Sequence, residues 1–509
     1  MSLGRSRAMS LIGLDGIPVD IEADIASGLP RFAVVGLPDR SLAEAVDRVR
    51  SAIVNSGLVM PSQRVTVNLS PASLPKAGTA FDLGIAVATL IASGQIPHHD
   101  PGTCVHIGEL ALDGRLRPTR GILPAVLGAK SAGITTVVVP VGNAIEAGLV
   151  EGIRVVALAS LRDVAIWHGA ALEAVDVAAV SGVYEQRAEP DTGDLSDVVG
   201  NRPAVEALIV AAAGGHHLSM VGPPGAGKTM LASRLAGILP DLTPSQAVEV
   251  ACVQSVSGSQ AVSELPHRPP FEAPHHTVTT TALVGGGSGV IRPGAIARAA
   301  HGVLFLDEAP EFSSSTLDAL RQPLETGRIT IHRAALTATF PAQFLFVLAS
   351  NPCPCGLYGV KGAKCECPPM SRRRYAAKLS GPLRDRIDIH LAIPRVTRMV
   401  VDDQTSLVTS EEARVRVAHA RAISAERWRR VGQRLNSLIP GSMLRSHPYR
   451  LPAEATAPLD NALSRSLITA RGYDRTLRLA WTLSDLDGGS MPTRDHVGRA
   501  LVLRRGTFE

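Results

Sequence analysis

Four residues at fixed spacing, Gly222, Gly227, Lys228 and Thr229, lie in the stretch HLSMVGPPGAGKT (His217–Thr229) and fit the pattern G-x-x-x-x-G-K-[ST]. Glycines let the backbone fold so that several N–H groups point at one anion, and the helix expected to follow adds its positive N-terminal end. The run Gly222, Pro223, Pro224, Gly225, Ala226, Gly227, Lys228, Thr229 and Met230 therefore reads as a phosphate cradle for ATP. Lys228 would reach the β- and γ-phosphates, and the Thr229 hydroxyl would bind Mg²⁺. A glycine-turned strand-to-helix corner has the same local look, so the residues downstream must separate the two readings.

Downstream stands HGVLFLDEAPEF, an apolar run Val303–Leu306 that ends in Asp307 and Glu308. Buried parallel strands read as continuous apolar runs, and active groups sit at their carboxyl ends. Asp307 is then placed to hold Mg²⁺ through water and Glu308 to polarise the attacking water. A third such strand, FLFVLAS (Phe344–Ser350), ends in Asn351, whose amide suits contact with the γ-phosphate or that water. Just beyond it Cys353, Cys355, Cys365 and Cys367 form C-x-C-x₉-C-x-C in a loop rich in Pro and Gly. Four thiolates suit a structural Zn²⁺, and a reducing compartment disfavours disulfides, the alternative. The segment SRRRYAAKLSGPLR that follows is basic with one aromatic, Tyr375, and beside a metal-pinned loop suits a DNA backbone, a solvated face being the other reading.

These residues need elements to hold them. With 509 residues the chain is too long for one core. It divides into an α/β domain at 1–184, a polar linker at 185–199, a nucleotide-binding core at 200–397 with the cysteine insertion at 353–367, and a helical lid at 398–509. In the first domain RVTVNLS (Arg64–Ser70) and TTVVVPV (Thr135–Val141) read as strands, Leu42–Gly57 as an amphipathic helix and Phe81–Ile96 as a buried one. Between cradle and Asp307, the cluster Leu283–Gly287 reads as a hairpin tip, thrust into a central pore or lying as a surface turn. His275 and His276 have no further spaced ligand and read as hydrogen-bonding turn residues. A hairpin follows around His332 and Arg333, on which Arg328 and Arg333 suit either phosphate backbone or a solvated strand edge. In the lid, Ser410 is expected to cap a helix, Pro458 to mark a break, and SRSLITARGYDRTLRLAWTLSDLDG to be one helix.

The formal charge is +5, six residues are lysine, and 45% are hydrophobic with no run of about 20 apolar residues. A mild basic excess permits a nucleic-acid partner without requiring one. No membrane segment or export signal is visible, so the expectation is a cytoplasmic protein. Cys104 and Cys252 lie in apolar surroundings and read as core.

The run APHHTVTTTALVGGG, RPGAIARAAHGVLFLDEAPEF, LRQPLETGRITIHR, NPCPCG and LSGPLRDRIDIH resembles the magnesium-chelatase-like AAA+ ATPases, and most closely their ComM/YifB-type branch. The resemblance spans nearly the whole chain. It implies an AAA+ P-loop core with a helical lid, a Mg²⁺-dependent ATPase that acts as a hexameric DNA helicase in branch migration, and homo-oligomers on single-stranded or branched DNA. A metal-insertion motor subunit and a protein-remodelling ATPase are the alternatives. It also implies that an arginine in SGPLRDRIDIH reaches the neighbouring subunit's γ-phosphate: Arg386 by the L-x-D-R-[IF]-D pattern, Arg384 otherwise, an internal pair with Asp385 or Asp388 being the competing reading. A lid arginine is expected at the nucleotide, Arg471 first and Arg475 next. The N-terminal domain is similar to the Lon-protease (ribosomal-protein-like) fold. Its sequence reads AGTAFDLG where Lon enzymes carry their serine, and Leu123 and Pro124 stand where a lysine is wanted. No peptidase activity is expected.

Overall fold

The structure is a computed structural model that describes residues 2–506 except 37–43, 75, 77, 98–101, 181–192, 259–261, 288–290, 334–335, 361, 363 and 396–406.

The N-terminal domain is built on two sheets. Strands β1 (Ser2–Ile12) and β2 (Asp15–Ala26) form a long antiparallel hairpin. Strand β3 (Arg31–Val35) runs parallel to β4 (Arg64–Ser70), giving the order β1-β2-β4-β3. In β4 the period-two pattern buries Val65, Val67 and Leu69, as the sequence predicts. Helix α1 (Ala45–Asn55) is amphipathic, whereas every residue of α2 (Asp82–Ala92) is buried. The one acid on α2, Asp82, is held by Arg48 Nε at 2.7 Å, yet burial still pushes its carboxyl up to about 6. The second sheet is parallel, from β5 (Cys104–His106) with a ribbon β6 (Glu109–Leu110) and β7 (Leu116–Arg117) beside it, then β8 (Thr136–Pro140) and β9 (Arg154–Leu158). Cys104 is buried in this core, and so is Cys252 in the next domain.

The segment that carries the phosphate-loop pattern has a five-stranded sheet whose neighbours all run parallel. Its members are β10 (Leu218–Val221), β11 (Phe271–Glu272), β14 (Val303–Leu306), β17 (Leu345–Ser350) and β18 (Ile389–Ala392), in the order β11-β14-β17-β10-β18, with β12 (Gly285–Gly286), β13 (Arg292–Pro293), β15 (Arg328–Arg333) and β16 (Leu336–Pro341) forming two antiparallel hairpins outside it. The three strands read from the sequence, β10, β14 and β17, are adjacent, so their carboxyl ends meet in one place.

Helices α3 (Ile122–Ser131) and, further on, α4 (Arg202–Gly214), α5 (Lys228–Ile238) and α6 (Pro244–Ser257) flank the sheets. After the cysteine loop come α7 (Pro369–Ala377) and the lid helices α8 (Ser410–Trp428), α9 (Ala453–Ser464), α10 (Ala470–Leu486) and α11 (Arg494–Arg505). Three expectations for the lid need correction. The cap of α8 is Thr409, which with Glu412 makes a reciprocal capping box, and Ser410 instead accepts from Leu195 N at 2.8 Å. Pro458 lies inside α9 rather than at a break. The long last segment becomes helical only at Ala470, after Thr469 caps it.

The two domains share a core. Helix α3 packs on α6, and one apolar cluster joins Ile122, Leu123 and Val126 to Ala251, Cys252 and Val262. Most of the expected linker lies outside the described residues. Its end does not behave as a spacer: Leu195 and Val198 are buried, and Asp194 accepts from Ser410 N at the start of α8. Lid and sheet are tied by a buried polar group that the sequence did not announce. His216 Nδ1 meets Asp388 Oδ2 at 3.2 Å, His216 Nε2 meets Thr482 Oγ1 at 2.8 Å, and Arg475 pairs with the other Asp388 oxygen. Arg475 and His216 hold the Asp388 carboxyl well below the usual range despite its burial.

Candidate nucleotide site

The cradle begins where β10 stops. Leu218 and Met220 anchor the strand in the core, and the chain then turns through Gly225 (φ 74°) and Gly227 (φ 82°) into the first turn of α5. Both turns need the left-handed region, which glycine enters without steric cost. The start of α5 leaves its first N–H groups directed at the loop.

Lys228 is almost fully buried, and its ammonium donates to Gly222 O at 2.7 Å, Pro223 O at 3.0 Å and Asn351 Oδ1 at 3.0 Å. Burial lowers its pKa, while the charges of Asp307 and Glu308 act the other way. Thr229 Oγ1 donates to Asp307 Oδ2 at 2.7 Å, and the backbone N–H of Glu308 donates to Asp307 Oδ1 at 2.9 Å, which fixes that carboxylate. A hydroxyl beside a carboxylate is a hard oxygen set that fits Mg²⁺. Glu308 is a non-glycine residue at φ 50°, a conformation retained where the surroundings enforce it, and its carboxylate is half exposed at the cavity. A cavity of about 480 Å³ is lined by Pro224–Met230, Asp307, Glu308, Ser350 and Asn351. Residues from three strand ends thus enclose one polar space, which a glycine-turned corner alone would not do.

Sequence reasoning missed one contributor. His276 Nδ1 lies 3.6 Å from Glu308 Oε2, on the segment that leads into the glycine hairpin, whereas His275 bonds Thr277 in the turn as expected. Its place in the run APHHTVTTTALVGGG was the signal the sequence offered.

The remaining arginines are not brought to this cavity within one chain. Arg386 is paired with Glu325 and donates to Pro382 O at 2.7 Å, so neither Asp385 nor Asp388 takes it. Asp385 faces Arg504 and Asp388 faces Arg475. Arg384 is exposed and lines a second cavity of about 600 Å³ on the other side of Asn351, together with Tyr375, Thr469 and Arg504. Arg471 is exposed on the first turn of α10, and Arg475 is committed to Asp388.

The four cysteines converge, with all four sulfurs within 4.8 Å of one another, a group that can hold a metal ion. They are free thiols, so no disulfide competes in this structure. The glycine cluster is a hairpin as expected, with a correction: Leu283 is fully buried on a short helix (Thr280–Val284) and anchors the hairpin instead of forming its tip. Beside it packs the hairpin of β15 and β16. A Cβ on Gly285 would lie 2.9 Å from Ile331 Cδ1. Arg292, Arg328 and Arg333, all exposed, are therefore carried on two neighbouring hairpins.

Three family descriptions match successive parts of the chain: subunit ChlI of Mg-chelatase at residues 21–143, magnesium chelatase subunit ChlI at 194–401, and the C-terminal part of that subunit at 408–504. Among individual proteins, an uncharacterized protein of Mycobacterium tuberculosis is 47% identical over 99% of both chains. The competence protein ComM of Haemophilus influenzae is 38% identical over 99% of this chain and 98% of its own. The uncharacterized protein YifB of Escherichia coli is 38% identical over 99% of this chain and 97% of its own. No described helix is long and apolar enough to cross a membrane.

Proposed function

Because the chain belongs to the magnesium-chelatase-like AAA+ ATPases of the ComM and YifB type, we propose that it is a Mg²⁺-dependent ATP hydrolase whose ring of copies, a hexamer, moves branched or single-stranded DNA. The observation that carries the ATPase reading is the meeting of Lys228 with Asn351 and of Thr229 with Asp307 around one polar cavity. Lys228 and the loop amides hold the phosphates, and Asn351 orients the attacking water. Glu308 takes up that water's proton. Thr229 and Asp307 would hold Mg²⁺, which when bound would supply positive charge against the phosphate oxygens. Arg386 of the next copy stabilises the transferred charge with its planar fork, once it leaves Glu325, and the exposed Arg471 is the lid arginine that serves the nucleotide. Hydrolysis is then coupled to assembly.

The DNA reading is supported by the two adjoining hairpins, one glycine-rich and both carrying exposed arginine, which suit phosphate contacts without base readout. The test is ATP turnover by the purified protein with forked DNA, with chelatase partner subunits plus porphyrin, or with an unfolded protein. Stimulation by forked DNA is expected. Stimulation only by porphyrin and its partners would replace the helicase reading with metal insertion, and stimulation only by unfolded protein with remodelling. Glu308→Gln is expected to retain ATP while turnover falls about 10²- to 10⁴-fold, as for loss of a general base.

A further inference from the structure

The cysteine loop touches the phosphate cradle. Gly356, at φ 76°, lies so close to Pro224 that a Cβ there would be 2.4 Å from the proline Cδ. Cys353 is fully buried and stands two residues after Asn351, the residue that accepts from Lys228. The rest of the connection forms a closed circuit. Tyr358 N–H donates to Cys353 Sγ at 3.3 Å, and the Tyr358 ring carries the Arg372 guanidinium at 4.1 Å. Arg372 lies on α7, and the buried Tyr375 of the same helix lines one cavity together with Asn351.

Within this circuit the loop has almost no apolar core. Among the described residues from Pro352 to Pro368, Cys353 and Gly356 alone are buried. Its closure rests on the cysteines, with Cys353 Sγ 3.4 Å from Cys355 Sγ and 3.7 Å from Cys365 Sγ, and none of them in a disulfide. Four thiols that converge without a covalent link suit a soft divalent cation, which removes their protons and supplies the missing cohesion.

We propose that a soft divalent cation such as zinc, bound by Cys353, Cys355, Cys365 and Cys367, clamps Gly356 against Pro224 and fixes Asn351, so that metal occupancy sets the affinity of the phosphate cradle. This rests on the nucleotide-site reading above and adds a control to it. The cation sits outside the cavity and takes no part in hydrolysis. Its effect passes through two contacts, one to the loop backbone at Pro224 and one to the amide that faces Lys228. A cradle left free to move must be ordered by the phosphates when they arrive, and that ordering cost appears as weaker binding.

The experiment uses the full-length Glu308→Gln protein, so that turnover does not interfere. Zinc content is measured by elemental analysis, and the affinity for a fluorescent ATP analogue is measured as purified, after stripping with a thiol-competing chelator, and after zinc is restored. About one zinc per chain is expected, with affinity lost at least tenfold on stripping and regained with zinc. Gly356→Ala separates the clamp from general loss of fold. It leaves the four ligands in place, and should keep the zinc and a cooperative unfolding transition while weakening the analogue about tenfold. Three results would overturn the proposal: no bound zinc, unchanged affinity after complete stripping, or unchanged affinity in Gly356→Ala. Tight analogue binding in every state would leave the nucleotide-site reading standing and remove only the clamp, whereas absence of binding in every state would remove both.

Discussion

Two lysines in this protein do nearly the same local chemistry and serve different ends. Lys76 in the N-terminal domain is buried and donates to Gly36 O at 3.1 Å and to Pro71 O. Lys228 is buried and donates to Gly222 O and Pro223 O. Burial lowers the pKa of both. What separates them is the third side. Lys228 also meets Asn351, feels the carboxylates of Asp307 and Glu308 and faces a polar cavity, whereas only burial acts on the pKa of Lys76. A lysine tied to loop carbonyls is a clasp, and it becomes part of a reaction site when acids and an anion-sized space stand opposite it.

The comparison predicts how each half of the molecule should break. The largest effect is expected where, on the proposed reading, the nucleotide site borrows from a neighbour. Arg386→Ala should lower ATP turnover about 10³-fold or more, in the range of lost trans arginines, and mixed rings of wild type and variant should lose turnover with the share of variant. Full turnover in those rings would make the Arg386–Glu325 pair merely internal. Next, Lys228→Ala should cost turnover about 10²- to 10³-fold, as for removal of one fixed electrostatic donor, while Lys76→Ala should leave the turnover of folded protein within about twofold. Equal losses in the two variants, measured as phosphate release, would erase the distinction.

Stability should reverse the order. Lys76→Ala leaves two carbonyls short of a donor and should lower unfolding free energy by about 2 to 4 kcal/mol in urea titration, the cost of buried groups left unpaired. A pH effect concerns two histidines that stay neutral. Burial pushes His217 down to about 4 and His390 to about 3 from an ordinary 6.5. Phe346 N–H donates to His217 Nδ1 at 3.1 Å, which requires that nitrogen unprotonated. Between pH 6.5 and 4 the unfolded chain binds protons that the folded chain refuses, so stability is full above that window and falls as pH drops through it. The slope approaches about 1.4 kcal/mol per pH unit for each histidine. A flat stability between pH 6.5 and 5 would show that neither ring is desolvated as the packing implies.

Much of the nucleotide site was legible because its parts are local patterns. The spacing of Gly222, Gly227, Lys228 and Thr229 is a loop geometry written in consecutive residues, and the apolar runs before Asp307 and Asn351 are the mark of strands buried on both faces. The buried α2 and the alternation of β4 were readable for the same reason. Helix ends in the lid were misread where a neighbouring residue made the better cap, as Thr409 does for Ser410. Pro458 misled because its place in a helix depends on what packs around it. His276 carries no spacing pattern at all, and only the return of the chain past Glu308 gives it a role.

By itself, then, the sequence determined the phosphate-loop pattern, the strands that flank it, the family and the four thiols, since each is encoded in runs of residue types along the chain. The tertiary structure decided that Lys228 faces Asn351 across 123 residues, that Arg386 is held by Glu325, that Asp388 joins His216 to Arg475, and that Gly356 rests on Pro224. Those partners lie far apart along the chain, and close packing between elements, which no local pattern records, chooses among the many polar groups each might have met.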